Sequence, residues 1–245
     1  MDIKNKLFHG VRQNTDMFEE DIGFIKYSFS NLEKILKSGM IYTREELLKY
    51  VKKDKDILDS EYFQCINEVC LAIHPENSLF DKQVLSNNIH FNIDSYDCYI
   101  RHNFSLILNE KLLIDRSYKI EGMLGEVRIK NSISLQGYLV AIGYFDLIDN
   151  MIFTLRSIKN GEDYRKSNYR IQLLFNELLR VDNIKKYVFQ KKQIYNQLKE
   201  CLQKYKFYVP IVDPYSGNFI NGDINKTINE IVEVKEKIKI ISKKM

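Results

Sequence analysis

The sequence predicts an α+β protein, built on a split, antiparallel-rich sheet with a helical C-terminal region. Three observations predict it. Between about 69 and 155, runs of four or five strong β-formers alternate with polar or Gly-containing turns. No helix long enough for a right-handed crossover separates the later runs, which disfavours a doubly wound parallel sheet. Beyond about 163, apolar residues recur at helical spacing instead.

The elements follow in order. Lys6-Leu7-Phe8-His9 reads as a first strand. Ser30-Asn31-Leu32-Glu33 has the S-x-x-E form in which hydroxyl and carboxylate each satisfy an open backbone N–H. With Leu32, Ile35 and Leu36 on one face and Gly39 as the stop, it predicts a helix over 31–38. Thr43-Arg44-Glu45-Glu46 repeats the device ahead of Leu47, Leu48 and Val51 and predicts a second helix over 44–53, with Met40-Ile41-Tyr42 extended between them. Strands are predicted at 69–73, 104–108, 126–129, 138–142 and 151–155. Ile171, Leu174, Phe175 and Leu178 start the helical part. Ile194, Leu198, Cys201, Leu202 and Tyr205 continue it, and Ile228, Ile231 and Val232 lead a last helix. The stretch 208–218, with two of the three prolines, reads as a loop. The organisation expected is an α+β body over 1–160 and a helical region over 161–245.

Composition narrows the function. The chain has 245 residues, 44% of them hydrophobic, with 10 Gly and 3 Pro, which excludes collagen-like and disordered classes. The start lacks a signal peptide's apolar run, and nothing approaches the roughly 20 apolar residues of a membrane span, so a soluble, cytoplasmic protein with no membrane partner is expected. Cys65, Cys70, Cys98 and Cys201 are widely spaced in apolar surroundings and read as buried free thiols. The four His residues, at 9, 74, 90 and 102, have no metal-ligand spacing, so no metal site is expected. The net charge is +4, yet residues 182–206 hold seven Lys (185, 186, 191, 192, 199, 204 and 206) against Asp182 and Glu200, a local +5. That run reads either as a solvated helix face or as a footprint for nucleic acid or another acidic partner.

Nucleotide-binding glycine loops, the hydrolase elbow and the zinc-protease motif are all missing. Two other features carry chemistry. Phe8-His9-Gly10 ends a strand with a residue that offers a donor and an acceptor, next to one that lets a ligand approach the backbone. Gly125-Glu126-Val127-Arg128-Ile129 puts a Glu at the mouth of a strand whose apolar face is Val127 and Ile129, so Glu126 is expected to point away from the core. Taken singly, His9 also reads as a structural histidine and Glu126 as a solvated edge charge.

In order along the chain stand Phe8-His9-Gly10, then Asn31-Leu32-Glu33-Lys34-Ile35-Leu36-Lys37-Ser38-Gly39-Met40-Ile41, then Cys70-Leu71-Ala72-Ile73-His74-Pro75 or the strand 104–108. Glu126 follows, with Ile133-Ser134-Leu135 and Leu139-Val140-Ala141-Ile142 after it. Over about 1–145 this succession resembles the ADP-ribosyltransferase superfamily, in the branch of diphtheria toxin, poly(ADP-ribose) polymerases and DarT. The resemblance implies an NAD-consuming mono-ADP-ribosyltransferase acting on a protein or nucleic acid. Its context would be a bacterial or phage toxin, effector or defence factor, in the bacterial cytoplasm or a host cell, with an antitoxin or immunity partner. It implies that His9 and the Gly10 backbone bind NAD and that Glu126 is catalytic, stabilising the positive charge that develops on the ribose as nicotinamide leaves. Tyr42 is the first candidate to stack on nicotinamide, with Tyr96 and Tyr99 as rivals. Leu124 stands two residues before Glu126, so the Glu-x-Glu of arginine-modifying relatives is missing. Two other readings compete: a non-catalytic binding or inhibitor protein on the same scaffold, and a basic nucleic-acid-binding module.

Overall fold

The computed structural model describes residues 1–11, 23–50, 66–74, 104–121, 126–144, 184–214, 216–220 and 229. Its elements in chain order are β1 (Lys6–Gly10), α1 (Gly23–Ser38), β2 (Met40–Ile41), α2 (Arg44–Tyr50), β3 (Glu68–Ile73) and β4 (Phe104–Asn109). They continue with α3 (Lys111–Asp115), β5 (Tyr118–Glu121), β6 (Glu126–Lys130), β7 (Ile133–Ser134), β8 (Leu139–Tyr144), α4 (Ile184–Lys204) and β9 (Ile211–Val212). The chain divides into two compact units, Met1–Tyr144 with Cys201–Phe219, and Phe145–Glu200 with Ile220–Met245.

The first unit is a mixed α+β body. Seven strands form one sheet in the order β5-β6-β3-β1-β4-β8-β9, and β2 pairs with β7 in a two-stranded sheet. Among the described residues every strand pairing is antiparallel except β8 with β9. The strand segments expected around 6–9, 69–73, 104–108, 126–129 and 138–142 are all present. Those at 151–155, and the helices expected near 171–178 and 228–232, lie outside the described residues, apart from Asn229, which is helical.

Register and alternation give the sheet two faces. On one, Phe8, Ala72, Ile107 and Ala141 form a row and pack with Ile3 and Val212 into an apolar cluster. On the other stand Leu7, Leu71, Leu106, Val127 and Ile142, all buried. The ring of Phe104, which shares that second face, meets Phe29 of α1 edge-on at 5.9 Å and stacks on Tyr144 at 5.3 Å. Each of these large side chains stabilises the fold by about 1.5–3 kcal/mol through the apolar area it removes from water.

Several expectations need correction. The first helix starts at Gly23, so Ser30 lies inside it and caps nothing. The Glu33 carboxylate accepts instead from Lys204 Nζ and the Tyr205 hydroxyl, both at 3.1 Å, and these bonds hold its pKa below the ordinary carboxylate value. The stop at Gly39 is as expected: with φ +66° its N–H reaches back to the Ile35 carbonyl at 2.8 Å. The capping box at Thr43 holds in altered form. Glu46 N–H donates to Thr43 Oγ1 at 3.3 Å, and Ser132 stands between the other two partners, accepting from Thr43 N–H at 3.0 Å and donating to Glu46 Oε2 at 2.6 Å. The proline-flanked loop contains a strand, since β9 pairs with β8. α3 and β5, five and four residues long, were not expected.

Of the four cysteines, Cys70 and Cys201 are described, and neither forms a disulfide. Cys201 is buried and Cys70 only half-buried. Burial, with the nearby Glu33 charge, pushes the Cys201 thiol up to about 11, against a smaller opposing effect of Lys204. Maleimide at neutral pH should therefore leave Cys201 unmodified in the folded protein and modify it after denaturation. Peptide mapping by mass spectrometry checks this, and rapid native labelling of Cys201 would contradict it.

Candidate functional site

β1 carries His9 and Gly10, and its two neighbours in the sheet treat it differently. With β4 it pairs over its whole length, from Lys6–Asn109 to Gly10–Ser105. With β3 it makes two rungs, Leu7–Ile73 and Phe8–Ala72. β3 meanwhile pairs with β6 through Glu68–Lys130, Val69–Ile129, Cys70–Arg128 and Leu71–Val127. The sheet therefore opens between β1 and β3 from His9 onward. The half-buried His9 ring reaches over this opening, its Nδ1 3.1 Å from the Cys70 carbonyl oxygen of β3. Because a carbonyl only accepts, this contact calls for the Nδ1–H tautomer, which makes Nε2 of a neutral ring the acceptor.

Glu126 opens β6, on the other side of β3. Strand spacing puts the β1 and β6 backbones about 10 Å apart. In register Glu126 falls one step beyond the Leu71–Val127 rung, level with Ala72 and Phe8, and on their face of the sheet. Alternation assigns His9 the opposite face, from which its ring turns to β3. Glu126 does not point away from a one-sided core: Glu126, Val127, Arg128 and Ile129 are all buried, at 5%, 0%, 9% and 0% exposure. The polar-apolar alternation of β6 was expected to mark one wet face, and both faces are covered.

The residue that the sequence reading passed over is Arg128. It follows Glu126 on the same face, with Nε 3.7 Å from Glu126 Oε2 and both side chains out of solvent. Removing water from two ions costs about as much as their pairing returns, so such a pair is no more stable than two apolar side chains. Deleting one partner, by contrast, costs about 3–5 kcal/mol. On the neighbouring strand, Lys119 stands level with Arg128 and pairs with Glu68 Oε1 at 3.0 Å. The β5-β6-β3 part of this face is thus charged, while its continuation over β1, β4 and β8 holds the apolar row of Phe8, Ile107 and Ala141. The signal for Arg128 lay in the sequence as a second polar residue two positions after Glu126.

Tyr42 sits elsewhere along the strands. It follows β2, whose Ile41 pairs with Ile133 of β7, and the next residue, Thr43, bonds Ser132. Tyr42 is half-buried and belongs with the C-terminal end of β6, whereas Glu126 stands at the other end. Tyr96, Tyr99 and His102 lie outside the described residues. Level with Gly10 across β4 and β8 are Ser105 and Gly143. The Ser105 hydroxyl is fully buried with no hydrogen-bond partner, and it fills the space that a Gly143 side chain would need.

Among the described residues no three His, Cys, Asp or Glu side chains are grouped to hold a metal, and no helix is long and apolar enough to cross a membrane. No family model matches the chain, and neither a curated protein nor a solved structure matches it.

Proposed function

We propose that the chain is an NAD-dependent mono-ADP-ribosyltransferase acting on a macromolecular acceptor. The observation that carries the reading is the opening of the sheet at His9-Gly10, with the buried carboxylate of Glu126 on the other side of the strand that borders it. In this reading NAD lies against the opening. Nε2 of His9 accepts from a ribose hydroxyl, and the Gly10 backbone, with no side chain in the way, bonds the nicotinamide amide.

The bond from the ribose anomeric carbon to nicotinamide breaks, its electron pair leaves with the pyridine nitrogen, and positive charge develops on the sugar. Glu126 accepts a hydrogen bond from the ribose 2′-hydroxyl and stabilises that charge through it. The acceptor's nucleophile then forms the new bond to the anomeric carbon and gives up its proton to Glu126 or to water. Nicotinamide release from NAD by wild-type and Glu126→Ala protein, with and without acceptor, tests this. Release that depends on Glu126 supports it, and a wild-type protein that never releases nicotinamide refutes it.

The charge run of α4 favours nucleic acid as the acceptor. Lys192 and Lys199 are exposed, Lys191 is half-buried, and Lys199 lies 5.8 Å from the centre of the Tyr195 ring. Lys204 is committed to Glu33 at 3.1 Å. If this helix engages a polyanion, neutralising Lys185, Lys186, Lys191 and Lys192 should flatten the dependence of log affinity on log salt by about 0.7–0.9 per lost phosphate contact. A fluorescence-anisotropy salt titration reads the slope, and an unchanged slope sinks this part of the proposal. Tight polyanion binding by a protein indifferent to NAD would favour the binding-module reading instead.

A further inference from the structure

We infer that Arg128 is a positioning residue for the Glu126 carboxylate, an inference that rests on the ADP-ribosyltransferase reading above. Three observations carry it. Arg128 stands two residues after Glu126 on one strand and one face, with Nε 3.7 Å from Oε2 and both side chains about nine-tenths buried. On the neighbouring strand Lys119, level with Arg128, pairs with Glu68 at 3.0 Å, so this face carries a second ion pair beside the first. Third, a buried ion pair brings no stability over two apolar side chains of the same size, so its presence on a covered face needs another reason. Fixing the orientation of a carboxylate that must meet a single hydroxyl is such a reason.

The chemistry makes the inference testable, because Arg128 acts on Glu126 in two opposed ways. As a nearby positive charge it offsets the attraction of the carboxylate for a cationic transition state, so its removal would speed the reaction if charge alone mattered. As an anchor it holds the carboxylate in one geometry, and a displacement of about 1 Å in a reacting group is worth on the order of 10²-fold in rate. The inference is that anchoring prevails. The contact is a charge pair longer than a hydrogen bond, and a planar, rigid guanidinium fixes the place of that charge better than an ammonium on a flexible stem.

The experiment measures nicotinamide release by wild-type, Arg128→Gln and Arg128→Lys proteins, with each kcat divided by the folded fraction from circular dichroism at the assay temperature. Arg128→Gln is expected to lower kcat per folded molecule by about 10–10²-fold with KM for NAD within about threefold, and Arg128→Lys to fall between it and wild type. A purely structural role would lower the folded fraction and leave kcat per folded molecule alone. A folded Arg128→Gln whose kcat is within twofold of wild type, or above it, overturns the inference while the enzymatic reading stands. If Arg128→Gln does not fold, Arg128→Lys decides: a severalfold loss in kcat at unchanged KM supports the inference, and full activity overturns it. Wild-type protein that releases no nicotinamide overturns the enzymatic reading and this inference together.

Discussion

Glu126→Gln is expected to lower the kcat of nicotinamide release by about 10²–10³-fold while leaving KM for NAD nearly unchanged. That range is typical when a transition-state electrostatic partner is lost. The split follows from the proposed role, since the carboxylate acts on charge that appears only as the glycosidic bond breaks. Glutamine keeps the volume of the buried side chain and leaves a carbonyl dipole beside the Arg128 guanidinium, which is itself only 9% exposed, so it limits the cost of removing the carboxylate charge. The variant should still melt below wild type, because a neutral amide balances the cation less well than a carboxylate. Steady-state kinetics with a melting curve on the same preparation check both statements. A Glu126→Gln protein with wild-type kcat would remove Glu126 from the mechanism.

Gly143→Ala should destabilise the fold by about 1–3 kcal/mol, the usual cost of forcing extra volume into a packed core. The added Cβ would meet the Ser105 hydroxyl head-on and lie 3.1 Å from Pro214 Cβ. Both neighbours belong to fixed elements: Ser105 pairs with Gly10 and Gly143 in the ladder, and Pro214 follows β9. Ser105→Ala removes the oxygen in the way and also a buried hydroxyl with no partner, so alone it should be neutral or stabilising. In the Ser105→Ala background, Gly143→Ala should then cost clearly less than it does alone. Urea denaturation of the two single variants and the double variant measures that coupling. Strict additivity would show that the clash is relieved elsewhere.

The strands were legible because this sheet writes itself in short apolar runs such as Phe104-Ser105-Leu106-Ile107-Leu108, too short for a helix and carrying the strand-formers Phe104 and Ile107. Gly39 was legible as a stop because glycine tolerates the left-handed backbone found there. Ser30-Asn31-Leu32-Glu33 misled because a capping box is also just a serine and a glutamate three apart. Glu33 found Lys204 and Tyr205, more than 170 residues away, and no local pattern records that. β9 was hidden by the prolines on either side of Ile211-Val212, although Pro210 supplies a carbonyl to Ile142 N–H at 3.0 Å. At the candidate site, His9, Gly10 and Glu126 could be picked out as residue types at strand ends. That both faces of β6 are covered could not, since alternation of Glu, Val, Arg and Ile looks the same whether its polar side is wet or dry. Arg128 was missed for that reason, as a buried charge pair depends on what packs over the strand.

The most direct test of the central claim is chromatographic measurement of free nicotinamide after incubating the wild-type protein with NAD, in the presence of single-stranded or duplex nucleic acid or a cell-protein fraction. The proposed activity releases nicotinamide in step with ADP-ribose covalently joined to one class of acceptor. NAD that stays intact with every acceptor, in a protein shown by its melting curve to be folded, would contradict it.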